Sequence, residues 1–163
     1  MVLLKNKRAI GILSWLMAMV WMFLIISFSS DPAQVSREKS TAVLERVEPA
    51  IERMEESLKM QIVDESRLHF YVRKNAHMFN YFVLAALMTL VLRVSGVRGF
   101  RLYFLAYLIA TMFSGIDEYY QTFIPGRSGE LRDVMVDNVG VLVGLLAARM
   151  TGKWREKCTC RLE

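Results

Sequence analysis

The sequence contains only two cysteines, Cys158 and Cys160, and both lie in the basic segment KWREKCTC. Two thiols separated by one residue cannot link distant parts of a fold through a disulfide. They also offer two ligands where a structural zinc site needs four. We therefore expect an ordinary reduced tail and predict no metal site.

Motifs for several other function classes are also missing. No recognised nucleophile motif is present, and no repeat of the solenoid type is visible. The net charge is +5, but the basic residues flank apolar blocks and form no stripe with interleaved aromatic residues. This distribution argues against nucleic acid as a partner and is typical of membrane proteins.

Long apolar runs dominate what is present, since 54% of the residues are hydrophobic. The first run, AIGILSWLMAMVWMFLIISF at 9–28, has no charge. As a helix of about 1.5 Å rise per residue it spans about 30 Å, the thickness of a bilayer core. A cleaved signal peptide is the alternative, but its apolar region is typically only about 7–15 residues long. The length favours a retained anchor.

The apolar runs predict an all-α polytopic membrane protein in one domain, 1–163. Its four transmembrane helices are expected at about 9–28, 75–92, 102–120 and 134–150. They leave an extracytoplasmic loop at 29–74 and a cytoplasmic tail at 151–163.

The loop is predicted to contain an amphipathic helix within 41–65 that Pro49 begins or kinks. We expect it either on the lipid surface or packed against the protein's own helices. Its apolar positions follow three- and four-residue steps: Val47, Ile51, Met54, Leu58 and Ile62.

Basic flanks predict the orientation. Lys and Arg lie before the first helix, between the second and third, and after the fourth. Four crossings put these three segments on one side, which the positive-inside rule makes cytoplasmic. We therefore expect a multi-pass membrane protein with both termini in the cytoplasm.

Polar residues cluster at the opposite, outer end of three helices. The spans there are short, so these residues are expected partly within bilayer depth, where charges normally face one another or a wet cavity. Pro125 and Gly126 predict a tight hairpin that makes the last two helices neighbours, with Arg127 above Glu118 and Asp137. The candidate ligand-binding residues are Lys74, Tyr81, Asp117, Gln121, Arg127, Asp133 and Asn138.

The chemistry of this cluster fits two uses. Arg127 and Lys74 suit a phosphate or carboxylate. The candidate catalytic residues are His77, Glu118 and Asp137, which suit proton transfer or, for His77, a metal. The plainer interpretation is that these side chains join the helices through hydrogen bonds. Gly140 and Gly144 form G-x-x-x-G, which permits close helix contact.

Two segments carry a family resemblance: KNAHMFNYFVLAAL, and SGIDEYYQTFIPGRSGELRDVMVDNVGVLVG. Together with FSSDPA after the first helix, they resemble the VanZ-like family of small bacterial membrane proteins. The matching positions are Lys74, His77, Tyr81, Asp117, Glu118, Gln121, Phe123, Pro125, Gly126, Arg127, Asp133, Asn138, Gly140 and Gly144. This chain departs in having Asp31 where Gln is usual and a longer loop at 36–70, and either Asp137 or Asn138 takes the family's role on the last helix.

The resemblance implies an integral membrane protein linked to low-level resistance to teicoplanin, a glycopeptide that acts on cell-wall precursors. It supplies no reaction and no cofactor. Three functions stay open: binding or handling of an anionic envelope lipid or cell-wall precursor, an acid/base or metal-dependent enzyme acting on an envelope lipid, and a non-catalytic membrane partner of an envelope enzyme that docks through 41–65. The oligomeric state is left open.

Overall fold

Five helices make up the part of the chain that the structure, a computed structural model, describes: residues 2–58 and 65–159. They are α1 (Val2–Ser29), α2 (Ala33–Leu58), α3 (Glu65–Val94), α4 (Phe100–Gln121) and α5 (Leu131–Thr159). No strand occurs within these ranges. The predicted all-α fold is confirmed.

Four of the helices are long and apolar enough to cross a membrane. The candidate spans are Ala9–Ser29, Phe70–Val94, Phe100–Gln121 and Leu131–Gly152. Their outward faces carry large apolar side chains, such as Phe23, Met112 and Leu146, each more than half exposed. Water would penalise so much exposed apolar surface, whereas lipid accepts it. The four predicted spans of a multi-pass membrane protein are confirmed.

The helices are longer than the predicted spans, because polar residues at the end of an apolar run can continue the same helix. α3 begins at Glu65 rather than near residue 75, and α5 continues to Thr159 rather than stopping near 150. The added turns are rich in Arg, Lys and Glu, which are good helix formers. Hydropathy marks only the part of each helix suited to lipid.

The loop helix α2 begins at Ala33, eight residues before the predicted segment, and Pro49 lies inside it. Of the two roles predicted for Pro49, beginning the helix is therefore excluded, and a kink stays a prediction. The structure shows the second of the two positions considered for this helix: α2 packs against α3, with Ser40 and Leu44 buried. Several predictions fall on side chains outside the described part of the structure: those for Val47, Ile51, Met54, Leu58, Ile62, Cys158 and Cys160.

α3 is the central helix and contacts all four others. Tyr81, Leu84 and Ala85 on α3 are fully buried in the core. The closest approach is to α5, where a methyl group added to Gly140 would collide with the carbonyl of Met78, and one added to Gly144 with that of Phe82. The predicted close contact through G-x-x-x-G is thus present, with α3 as the neighbour.

The helices alternate in direction, which creates two chemically different ends. We call the polar end the one formed by the last turns of α1 and α4, the first half of α3 and the start of α5. The basic end is the opposite one, where Gly11 lies against Val94 and Arg93 reaches the carbonyl of Ala148. The start of α1, the last turns of α5 and the link between α3 and α4 thus share one end, as the basic flanks predicted.

Candidate functional site

The turn between α4 and α5 forms the edge of the polar end. Arg127 N–H donates to the carbonyl of Ile124 over 3.1 Å. Gly126 has φ of 76°, a conformation that glycine adopts without strain. This tight turn brings the end of α4 beside the start of α5, as the sequence predicted.

Asp117 is the centre of a buried hydrogen-bond network at this end. One of its oxygens, Oδ2, accepts from Ser29 Oγ at 2.8 Å, from Tyr81 Oη at 3.1 Å and from Gln121 Nε2 at 3.4 Å. The side chain is 2% exposed, and its Oδ1 has no hydrogen-bond partner among the described residues. Asp117 therefore ties α1 and α3 to α4 and keeps one acceptor unused.

Asp137 forms a second buried centre on α5. Its Oδ2 accepts a 2.8 Å hydrogen bond from Ser114 Oγ, and its Oδ1 lies 4.0 Å from His77 Nδ1. The latter distance is too long for a hydrogen bond but short enough for attraction to a protonated imidazole. His77 and Asp137, two of the candidate catalytic residues, are thus brought together.

Two further pairs occupy the rim. Lys74 forms an ion pair with Asp133, and both side chains are largely shielded from solvent. Glu118 Oε1 accepts the backbone N–H of Glu130 at 3.0 Å, which fastens the loop between α4 and α5. In the described structure Lys74 thus already has a counterion and Glu118 has a structural partner.

Asn138, also a candidate, joins α4 to α5 instead of facing a cavity. Its Oδ1 accepts from Thr111 Oγ1 at 2.6 Å, and its Nδ2 donates to the carbonyl of Val134 at 2.8 Å. The Thr111–Asn138 pair lies one turn of α4 deeper than the Ser114–Asp137 pair. This geometry is what the plainer interpretation of the cluster predicts for this residue.

Arg127 extends the Asp117 network toward the surface. Its Nη1 donates to Gln121 Oε1 at 3.1 Å and its Nη2 to the carbonyl of Phe28 at 3.4 Å, so it connects α4 to α1. Its buried Nε–H has no hydrogen-bond partner among the described residues. Arg127 therefore retains a free donor at the polar end.

A cavity of about 280 Å³ opens between the end of α1, α2 and the first half of α3. Its wall combines three cations with one carboxylate, one imidazole and several apolar side chains. The lining residues include Lys39, Arg73, Arg127, Asp31, His77, Phe28, Val43, Val72 and Phe79. We call it the polar-end cavity.

Positive charge accumulates at this cavity. Burial lowers the pKa of Arg127, and the nearby charge of Arg73 lowers it further, against opposing carboxylates. A guanidinium nevertheless keeps its proton in proteins. Arg127 therefore stays charged although it is partly buried, and binding of an anion beside it would be favourable. Among the residues that the structure describes, no three His, Cys, Asp or Glu side chains lie where they can jointly hold a metal ion.

Of the candidate residues, only His77 and Arg127 line the polar-end cavity, and Asp117, Gln121 and Tyr81 form the network behind Arg127. Sequence reasoning missed Ser29, Lys39 and Arg73. The serine-rich exit from α1 was a signal for Ser29. Lys39 and Arg73 lie among many charged loop residues, and no local pattern distinguishes them.

Comparison with protein-family models identifies the family of this chain. A family model described as VanZ/LLP1 matches residues 14–152, which include all four spans' cores and the whole polar end. Neither a curated protein nor a solved structure matches the chain.

Proposed function

From the premise that the chain belongs to the VanZ/LLP1 family, we propose that its polar-end cavity binds the anionic headgroup of an envelope lipid or cell-wall precursor. The same proposal puts the polar end on the outer side of a bacterial cytoplasmic membrane, because the three basic segments gather at the other end. Binding there would connect the protein to the teicoplanin resistance that the family resemblance implies.

The observation that carries the proposal is the wall of the cavity. Arg73 and Arg127 offer guanidinium groups and Lys39 an ammonium group, while Phe28 and Phe79 offer apolar surface beside them. Guanidinium groups match phosphate and carboxylate oxygens in geometry as well as charge. A ligand that joins an anionic group to an alkyl chain fits both halves of this wall.

The buried network supplies rigidity to this wall. Gln121 accepts from Arg127 and donates to Asp117, which is in turn held by Ser29 and Tyr81. Such a chain fixes the guanidinium before a ligand arrives, which lowers the ordering cost of binding. The Nε–H of Arg127, buried without a described partner, is the donor that an anion would accept from.

The test is to measure which lipids co-purify with the protein and how many per chain. We expect anionic lipid in the wild-type protein and about tenfold weaker retention in Arg127→Gln, since one charge-assisted hydrogen bond contributes on the order of 1.5 kcal/mol. Arg132→Gln is the matched control, because Arg132 is an exposed cation at the same end that does not line the cavity.

Arg127 also holds the loop in place, so a second variant is needed. Lys39→Gln removes a cavity cation whose only described ion pair is with the partly exposed Asp31. If both variants retain the wild-type lipid profile, the proposal is wrong.

The contact between His77 and Asp137 favours a second candidate, an acid/base enzyme acting on an envelope lipid. His77 lines the cavity and lies 4.0 Å from the Asp137 carboxylate, a pair that can hold and pass a proton. The same lipid extracts distinguish the two functions. Turnover would produce a chemically altered lipid with the wild-type protein that is missing with Asp137→Asn, whereas binding alone leaves the lipids unchanged in both.

A further inference from the structure

A second cavity, of about 610 Å³, lies at the basic end, where α3 ends, α4 begins and α5 leaves the span. Its wall contains three guanidinium groups, those of Arg93, Arg98 and Arg149, together with Tyr103 and Leu102. It is separate from the polar-end cavity and shares no lining residue with it.

Two of the three arginines are fixed by their neighbours. Arg93 Nη2 donates to Tyr103 Oη and to the carbonyl of Ala148, both at 3.4 Å. The guanidinium of Arg149 lies over the ring of the same tyrosine, 5.9 Å from its centre, which is a cation–π geometry. Tyr103 thus organises two positive charges at one site.

The backbone of α5 is shaped to accept Arg93. A methyl group added to Gly152 would stand 2.8 Å from both Nη atoms of Arg93. Gly152 lies in a helix, where glycine is generally less favourable than alanine. Its effect here is to let a guanidinium lie against the helix.

These charges have no described counterion. The ion pairs among the described side chains join Lys39 to Asp31 and Lys74 to Asp133, and both lie at the polar end. No carboxylate lines the basic-end cavity. Three cations gathered without a described acidic neighbour repel one another, and an anion between them removes that repulsion.

The position of the cavity selects the kind of anion. The spans of α3 and α5 end at Val94 and Gly152 and that of α4 begins at Phe100, so the cavity lies at the level of lipid headgroups. An adjoining groove of about 290 Å³ between α3 and α5 shares Arg93 and Gly152 and is lined otherwise by small and apolar residues such as Ala86 and Leu90. A phosphate with an attached chain matches this pair of spaces.

We propose that the basic-end cavity binds a phosphate group, supplied by an anionic phospholipid of the adjacent leaflet and held by Arg98 and Arg149 beside the fixed Arg93. Basic pockets between membrane helices are suited to such headgroups. These arginines then bind a ligand in addition to orienting the helices, and this role is independent of whatever binds at the polar end.

The test uses the full chain in nanodiscs of phosphatidylglycerol and phosphatidylcholine, with a trace of phosphatidylglycerol carrying a photoreactive headgroup. Mass spectrometry then locates the labelled residues. We expect label at residues 97–103 and 149–152, and about tenfold less label there in Arg98→Gln/Arg149→Gln. Arg101→Gln is the matched control, since Arg101 is an exposed cation in the first turn of α4 that does not line the cavity.

Competition with inorganic phosphate distinguishes the source of the phosphate. Label that survives millimolar phosphate supports a lipid ligand, whereas label lost to phosphate supports a phosphate site filled from solution. Equal labelling of the wild type and the double variant overturns the proposal, and so does an equal loss in Arg101→Gln, which would indicate general surface charge. If the double variant does not fold, the single variant Arg149→Gln is measured, with the same expected direction and the same grounds for rejection.

Discussion

Ser29 shows how much a single residue can contribute when its partner is buried. Its hydroxyl donates to Asp117 across 88 positions of sequence, and it is 1% exposed. Nearby Ser27 donates instead to the carbonyl of Phe23 in its own helix and is not buried. Ser29 therefore makes a hydrogen bond between helices, whereas Ser27 makes one within its own helix.

We expect Ser29→Ala to lower the free energy of unfolding of the purified protein by about 0.6–1.7 kcal/mol, the range for hydrogen bonds between membrane helices. Ser27→Ala should change it little, because its loss leaves the backbone helix bond intact. Unfolding in detergent, followed by circular dichroism, measures both. Equal stability of the two variants would mean that Asp117 does not depend on Ser29.

The adjacent cations Lys74 and Arg73 differ in whether they have a counterion. Lys74 is paired with Asp133, whereas the adjacent Arg73 lines the polar-end cavity. Both were visible in the sequence as cations before a membrane helix. Which of the two is available to a ligand depends on the rotation of α3, since successive residues of a helix point about 100° apart.

At the scale of elements, the contact between α3 and α5 depends on two small residues. Gly140 and Gly144 face the carbonyls of Met78 and Phe82, closer than any side chain allows. By contrast, Gly115 on α4 has open space where a methyl group would be placed. The sequence alone identified the first pair by its spacing.

Gly140→Ala should therefore force α5 away from α3 and lower stability by about 1–3 kcal/mol, the usual range for overpacking. Gly115→Ala should be neutral or stabilising by about 0.5–1 kcal/mol, because alanine restricts the unfolded chain without meeting a neighbour. Thermal unfolding of the two purified variants in the same detergent checks this. A Gly140→Ala protein as stable as the wild type would show that the close helix contact is not required.

The position of α2 creates one wall of the polar-end cavity. Ala33 N–H at the start of α2 donates to the carbonyl of Pro125 at 3.4 Å, and the helix packs against α3 with Leu44 buried. Lys39 reaches the cavity only because of that packing. A helix lying on the lipid surface would have left the cavity open on one side.

At the scale of the whole molecule, the two ends carry opposite roles. At the polar end Lys74 is paired with Asp133 and several carboxylates are buried, while the arginines of the basic-end cavity have no ion-pair partner among the described residues. With four spans, the positive-inside rule predicts from this asymmetry that the polar end faces outward.

We expect an impermeant maleimide to label Ser128→Cys in intact cells and Ser95→Cys only after permeabilisation. Both serines are exposed, Ser128 in the loop after α4 and Ser95 in the link after α3. The native Cys158 and Cys160 are changed to serine in both variants, to leave one thiol. Labelling of both positions from the same side would contradict the arrangement of the spans.

The sequence by itself determined the number of spans, the end to which each polar group belongs and the tight turn after α4. These follow from local properties: runs of apolar residues, helical spacing, and the backbone preferences of proline and glycine. The spacing of Gly140 and Gly144 also predicted a close helix contact, because only small residues allow the backbone of another helix to approach so closely.

Only the tertiary structure decided which polar groups meet. Asp117 takes its partners from positions 88 and 36 residues away, and the polar-end cavity takes its cations from α2, α3 and the loop after α4. Each of these pairings depends on the rotation and separation of packed helices. Such geometry results from all helices together, so no single stretch of sequence encodes it.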